Sequence, residues 1–178
     1  TGVCVDKDNN ILVSDWGNHR VCVFSEEGAF LREFGQEMDE PCGIAVNAEG
    51  AVAVTESGGN VRPFVQVFSS EGRLLRRYEQ HGGLLFDKPC AIAFNKFGDL
   101  AVSDWSRHCV VLLDSEGEHL QDISISNGIP FDEPSGIAVN EDGTMYVADL
   151  HNSRVVALAP SLPNTPDLSP SLEYSSTQ

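Results

Sequence analysis

The sequence is poor in basic residues. It has 11 Lys and Arg against 27 Asp and Glu among 178 residues, which gives a formal net charge of −16. Proteins bind nucleic acids largely through Lys and Arg that neutralise phosphates. The composition therefore disfavours an RNA-binding role and favours a protein partner, unless a local basic patch overrides the net charge.

Cysteines are few, odd in number and without any CxxC spacing. The five positions are Cys4, Cys22, Cys42, Cys90 and Cys109. Such a set favours small apolar residues in a reducing compartment over a disulfide framework or a zinc site. We therefore predict a cytoplasmic location.

Long apolar runs and catalytic motifs are also absent. No run of 18 apolar residues or signal peptide is present, which predicts no membrane span. There is no GxSxG, HExxH or Gly-rich phosphate loop. Of the five histidines only His19 and His108 share a place in the repeat described next, which argues against a metal held by several blades. We predict no catalytic residue, no metal and no cofactor.

A fourfold repeat is what the sequence does contain. Its copies share an origin at Gly2, Gly43, Ala91 and Gly136, which lie 41 to 48 residues apart. Each copy has an apolar opening (GVCVD, GIAVN, AIAFN, GIAVN), a turn with Asn or Gly, a second run ending on an acid, and a third apolar run. Three copies add a fourth run, LREF, LRRY or LQDI.

Four short strands per copy, joined by tight turns, are typical of a β-propeller blade. The runs are rich in Val and Ile, and no convincing helix remains between them. The third run is apolar at nearly every residue, so both faces of its sheet must be covered, as they are between stacked blades. We predict an all-β propeller of four-stranded antiparallel blades, with a β-solenoid or a pair of sandwiches as the alternative.

Three stretches carry a family resemblance: SDWGNHRVCVF, SDWSRHCVVLL and ADLHNSRVVAL. Together with the preceding openings of the PxGIAVN type, they resemble NHL repeats, named for an Asn-His-Leu triplet at the place of Asn18, His19 and Arg20. The second copy departs, because SGGNVRPF inserts three residues and lacks the His. The resemblance implies a propeller similar to the carboxyl-terminal domain of tripartite-motif proteins.

NHL propellers usually close with six blades, so the resemblance implies that these four copies are part of a larger ring. We assign residues 1–159 to the blades, with repeats that start near 1, 41, 89 and 134. Residues 160–178 have four prolines and many Ser and Thr, and we predict that they form a disordered tail.

The acids that end the second run recur in every copy, at Asp15, Glu56, Asp104 and Asp149. Because they recur, a structural role in the following loop is favoured for them, through hydrogen bonds to turn amides or a nearby Arg.

Loops from the second to the third strand, and those between blades, must emerge on one side of a propeller, here called the loop face. Trp, His and Arg dominate protein interfaces, and this face is rich in them. We predict partner binding by the following residues: Trp16, Asn18, His19, Arg20, Arg62, Trp105, Arg107, His108, His151, Asn152 and Arg154. For His19 and Arg20 a structural role is equally favoured.

The predicted function is that of a protein-interaction module. The family resemblance implies recognition of a substrate or partner in a RING-type ubiquitin ligase or a similar scaffold protein, although no RING domain is present in these residues. Two alternatives stay open: an RNA-binding NHL propeller, and a metal-dependent propeller lyase or hydrolase.

Overall fold

A computed structural model of the chain describes residues 2–59, 62–78 and 85–159. Short runs rich in Val and Ile, separated by turns with Gly or Asn, form consecutive antiparallel sheets. Each blade is an up-and-down meander, in which strands adjacent in sequence pair with each other. The strands of the first blade are β1 Val3–Val5, β2 Ile11–Asp15, β3 Arg20–Phe24 and β4 Phe30–Phe34. Those of the second blade are β5 Pro41–Val46, β6 Val52–Glu56, β7 Phe64–Phe68 and β8 Leu74–Tyr78.

The third and fourth blades continue the pattern. The third consists of β9 Pro89–Phe94, β10 Leu100–Asp104, β11 Cys109–Leu113 and β12 His119–Ile123. A two-stranded ribbon of β13 Ile125–Ser126 and β14 Ile129–Pro130 leads to the last blade, with β15 Pro134–Val139, β16 Met145–Asp149 and β17 Arg154–Leu158. The predicted all-β propeller of antiparallel blades is confirmed, and the predicted fourth run LRRY lies in β8.

The first turn of each blade needs a residue in the left-handed region, as the sequence predicts. That position has φ of 61° at Asn9, 87° at Gly50, 86° at Gly98 and 92° at Gly143. The tight turn sets the register in which the openings of the blades pair with the second strands.

Burial differs between the middle and the end blades. In the third blade every residue of β10 and β11 is buried, because both faces of that sheet pack against neighbouring blades. In the first blade Val3 and Val5 are 65% and 58% exposed, and in the fourth Tyr146 and Val155 are 40% and 49% exposed. The first and fourth blades each present one uncovered apolar sheet face, which we call the end faces.

Buried hydroxyls link each blade to the next. Ser14 donates to the carbonyl oxygen of Cys42 at 2.5 Å, and Ser103 donates to that of Ser135 at 2.7 Å. Both hydroxyls also accept the amide of the repeat origin in their own blade, at Gly2 and at Ala91. Each innermost strand is thereby bonded to the innermost strand that follows it.

Some sequence predictions lie outside what the structure describes. The predicted disordered tail, residues 160–178, is outside the described residues, and a ring of six blades stays a prediction. Within the described residues, no helix is long and apolar enough to cross a membrane.

Candidate partner-binding face

The loop face is built from the loops between the second and third strands, at residues 16–19, 57–63, 105–108 and 150–153. In the second, third and fourth blades this loop is bonded to the connection that enters the blade. The amide of Trp105 donates to the carbonyl oxygen of Lys88 at 2.9 Å, and that of His151 donates to Asp132 at 3.1 Å. The face is therefore preorganised by the backbone.

The recurring acids anchor these loops. Asp149 is fully buried, and its carboxylate accepts the amide of Asp132 at 2.8 Å and the guanidinium of Arg154 at 2.7 Å. Asp104 is also fully buried and accepts the amides of Asp87 at 2.7 Å and of Lys88 at 3.0 Å. These contacts are of the kind that the sequence predicts for the acids, since they pair with turn amides and with a nearby Arg.

Glu56 differs from Asp104 and Asp149 because one of its two carboxylate oxygens has no partner. It is fully buried, and only one of its oxygens is bonded, to the amide of Asp39 at 2.7 Å. The other oxygen, Oε1, is buried without a hydrogen-bond partner. Burial raises the pKa of Glu56 to about 7, and the nearby Asp39 carboxylate acts in the same direction.

Several predicted binding residues make internal contacts. Asn18 donates to Asp15 at 2.8 Å, and this bond is the main factor that holds the pKa of the Asp15 carboxyl below its ordinary value. Arg20 pairs with both Asp15 and Glu33. These side chains therefore stabilise the loop of the first blade, in addition to lying on the loop face.

The equivalent residues of the later blades are bonded in a similar way. Asn152 donates to Asp149 at 2.9 Å and to the carbonyl oxygen of Pro130. Arg107 donates to the carbonyl oxygen of Leu85 and pairs with Asp122 at 2.5 Å. Three of the predicted arginines, Arg20, Arg107 and Arg154, thus already pair with carboxylates inside the chain.

His19 and His108 occupy one repeat position, with Ser153 in the fourth blade, and the backbone there is left-handed in all three. The φ angles are 57°, 52° and 52°. The three loops without the insertion all have this left-handed residue. What the three positions share is therefore the backbone conformation and not the imidazole side chain. The imidazoles of His19 and His108 are exposed on the loop face.

A cluster of two histidines and two acids joins the third and fourth blades at the loop face. His108 Nδ1 lies 3.3 Å from Asp132 Oδ1, and His151 Nδ1 lies 4.0 Å from Asp132 Oδ2. His151 Nε2 is 3.0 Å from Glu133 Oε2, and the amide of Glu133 donates to His108 Nδ1. In the described residues no group of three or more His, Cys, Asp and Glu is arranged to hold a metal ion.

Large apolar side chains follow the anchoring acid in three blades. Trp16 is 48% exposed and Leu150 is 53% exposed, while Trp105 is half-buried with the Lys88 ammonium 5.0 Å from its ring centroid. The second blade has Ser57 at this position. Leu150 is not among the predicted residues, although its register with Trp16 and Trp105 was a signal in the sequence.

Arg62 lies in the inserted loop of the second blade and is exposed. Residues 60 and 61 of that loop are outside the described residues. The inserted loop therefore adds an exposed cation to the loop face.

On the opposite face, a groove of about 510 Å³ lies between the second and third blades. It is lined in part by Leu75, Tyr78, Phe94 and Phe97. Phe97 is 66% exposed, compared with 48% for Trp16. It is therefore an exposed aromatic residue on the face opposite the loop face.

Comparisons with known proteins agree with this architecture. The NHL repeat family matches residues 1–24 and 131–158, in the first and fourth blades. The chain is 26% identical over 121 residues to "Protein brain tumor" of Drosophila melanogaster, a match that covers 64% of this chain and 11% of that protein. The chain thus matches about a tenth of that relative's length.

Solved structures share the fold at low sequence identity. The structure of a streptogramin B lyase has a TM-score of 0.71 at 16% identity, and covers 88% of this chain and 50% of its own. A catalytically inactive virginiamycin B lyase from Staphylococcus aureus with quinupristin gives 0.70 at 16%, over 88% and 51%. A protein of unknown function from Bacteroides caccae gives 0.69 at 17%, over 97% and 59%. The family match thus identifies NHL repeats in the first and fourth blades, within a chain that has the β-propeller fold.

Proposed function

We propose that the chain is a protein-interaction module that binds a protein partner on its loop face. The observation that carries the proposal is the row formed by Trp16, Trp105 and Leu150, which occupy one repeat position and stay partly or largely exposed. Exposed apolar side chains next to polar ones are typical of interaction sites. The anchoring acid beside each residue holds it on a rigid loop, which lowers the entropy cost of binding.

The polar residues around this row complete the proposed site. His19, His108, His151 and Arg62 are exposed and offer hydrogen-bond donors at its rim. Asn18, Asn152 and the three paired arginines support the loops that carry them. A central apolar group with a polar rim is the usual arrangement of a protein interface.

A protein partner is favoured over RNA because most arginines of the loop face are already paired with carboxylates. Arg20, Arg107 and Arg154 already pair with carboxylates, so their charge is largely used within the chain. The net charge of −16 acts in the same direction, since it repels a polyanion. We further propose that the partner is a substrate selected for a RING-type ubiquitin ligase or a similar scaffold in the cytoplasm, a reducing compartment that suits a chain with five free cysteines.

Quantitative affinity capture from a cell lysate tests the proposal. Trp16→Ala combined with Trp105→Ala should remove the proteins that the wild-type chain captures, while Phe97→Ala on the opposite face should leave them in place. RNase treatment should not change the captured set. Loss of capture with Phe97→Ala alone would assign binding to the groove instead, and capture abolished by RNase would favour an RNA-binding propeller.

A further inference from the structure

Two cysteines meet at the boundary between the second and third blades. Cys42 follows Pro41 at the start of β5, and Cys90 follows Pro89 at the start of β9, so both occupy the same repeat position. The equivalent residue of the fourth blade is Ser135. Of the four copies, only the adjacent second and third place thiols there.

The backbones that carry these thiols approach very closely. A Cβ placed on Gly43 would lie 2.4 Å from the carbonyl oxygen of Cys90 and 2.9 Å from the Cα of Ala91. Thr55 bonds to both strands at once, since it accepts the amide of Gly43 at 2.8 Å and donates to the Cys90 carbonyl at 3.1 Å. The two strands are therefore within the short separation that a disulfide spans.

The two side chains are also directed at each other. The side chains of Cys42 and Cys90 are close enough to interact with each other. Both cysteines are half-buried, whereas Cys22 and Cys109 are buried. A small oxidant therefore has access to this pair that it lacks at the two buried cysteines.

We propose that Cys42 and Cys90 form a redox-sensitive pair that a hydroperoxide converts into a disulfide between the second and third blades. Cys42 is the attacking residue and Cys90 is the resolving residue. The bond would join the two innermost strands of neighbouring blades and fix their separation.

The electrostatics of the pair support this division of roles. The interaction with Cys90 is the main factor that lowers the pKa of Cys42 to about 6, which favours its thiolate near neutral pH. The same interaction, burial and the charge of Asp104 raise the pKa of Cys90, so it stays protonated. For comparison, burial raises the pKa of Cys4 to about 12.

The proposed chemistry has two steps. The Cys42 thiolate attacks an oxygen of the hydroperoxide, the O–O bond breaks, and an alcohol or water leaves while Cys42 becomes a sulfenic acid. The Cys90 thiol then loses its proton and attacks the Cys42 sulfur, and the S–O bond breaks as water leaves. The two thiols lose two electrons in total, and the peroxide gains them.

The test treats the reduced, folded chain with one equivalent of hydrogen peroxide, then unfolds it and blocks free thiols with N-ethylmaleimide. Of the five cysteines, two should be lost to the disulfide, so three maleimides should add instead of five. Peptide mapping should find Cys42 linked to Cys90, and dithiothreitol should restore five additions.

Variants separate the two roles and control for general oxidation. Cys90→Ser should leave a sulfenic acid on Cys42 that dimedone traps, and Cys42→Ser should abolish the fast reaction. Cys4→Ser, which removes a half-buried cysteine of the first blade, should still form the disulfide, so its maleimide additions should fall from four to two. Five maleimide additions after peroxide, or a disulfide that involves another cysteine, would overturn the proposal even if the variants failed to fold.

Discussion

The hydroxyl of Thr55 in β6 donates a hydrogen bond to the carbonyl oxygen of Cys90, 3.1 Å away in the next blade. The same hydroxyl oxygen accepts the amide of Gly43 in its own blade at 2.8 Å. Ser14 and Ser103 make the equivalent pair of bonds at the other two blade boundaries. Neighbouring blades are thus held by directional bonds at the centre as well as by apolar packing.

Replacement of Thr55 by Val should destabilise the chain by about 1–3 kcal/mol, because the buried amide of Gly43 loses its acceptor. Val keeps the shape of Thr, so the loss isolates the hydroxyl. Urea denaturation followed by fluorescence would measure it. The control is Ala148→Ser, at the same repeat position in the fourth blade, whose effect should be within about 0.5 kcal/mol. A Thr55→Val chain as stable as the wild type would contradict the role of this bond.

Gly43→Ala should be more harmful than Gly136→Ala, although both are origins of the repeat. The new Cβ at position 43 would lie 2.4 Å from a backbone oxygen of the next blade, whereas at position 136 its nearest neighbour is a side-chain atom at 3.5 Å. Moving β5 away from β9 should cost roughly 1–3 kcal/mol. Thermal unfolding of the two variants would measure the difference. Equal unfolding midpoints would contradict the close packing of β5 against β9.

The architecture could be predicted from the sequence because the period, the left-handed turn residues and the acid at the end of the second run recur together. Hydrophobic runs covered on both faces, such as β11, further restrict the fold to stacked sheets. The ribbon of β13 and β14 could not be predicted, because two-residue strands leave no periodic signal and depend on their neighbours. Burial at the end faces could not be predicted, because β17 is as apolar after Arg154 as β11 is after Cys109, yet one face of its sheet is open.

The candidate site was less predictable than the fold. A sequence shows that Arg20 and Arg154 recur, but only the coordinates show that both pair with the anchoring acid. Leu150 was missed because it is not a residue type that suggests binding, and it becomes visible only in register with Trp16. The raised pKa of Glu56 depends on burial and on the nearby Asp39 carboxylate, which the sequence alone does not quantify.

Glu56→Gln should stabilise the chain above neutral pH and remove a pH dependence. The pKa of Glu56 is raised to about 7 in the folded chain from an ordinary value of 4.5. Between these values the folded state holds a proton that the unfolded state releases, so stability falls as the pH rises through this window. Above pH 7 the variant should be more stable by on the order of 2 kcal/mol. Denaturation at pH 4, 6 and 8 would measure it.

Asp104→Asn is the matched control at the same repeat position. Both oxygens of Asp104 accept backbone amides, from Asp87 and Lys88, so an Asn side chain would direct an N–H at a donor. This variant should be destabilised at all three pH values, by about 1–3 kcal/mol. If Glu56→Gln were destabilised to the same extent, the buried oxygen of Glu56 would have a partner in solution.

The end faces predict that the 178-residue chain associates with itself. Val5 in the first blade and Val155 in the fourth are exposed on different sheet faces, so contact between copies would be head to tail. Val5→Lys and Val155→Lys, alone or together, should lower the average mass measured by analytical ultracentrifugation at high concentration. Leu75→Lys is the control, since Leu75 is 45% exposed on the outer strand β8 and not on an end face. A wild-type mass that stays at 19.3 kDa at every concentration would contradict the prediction.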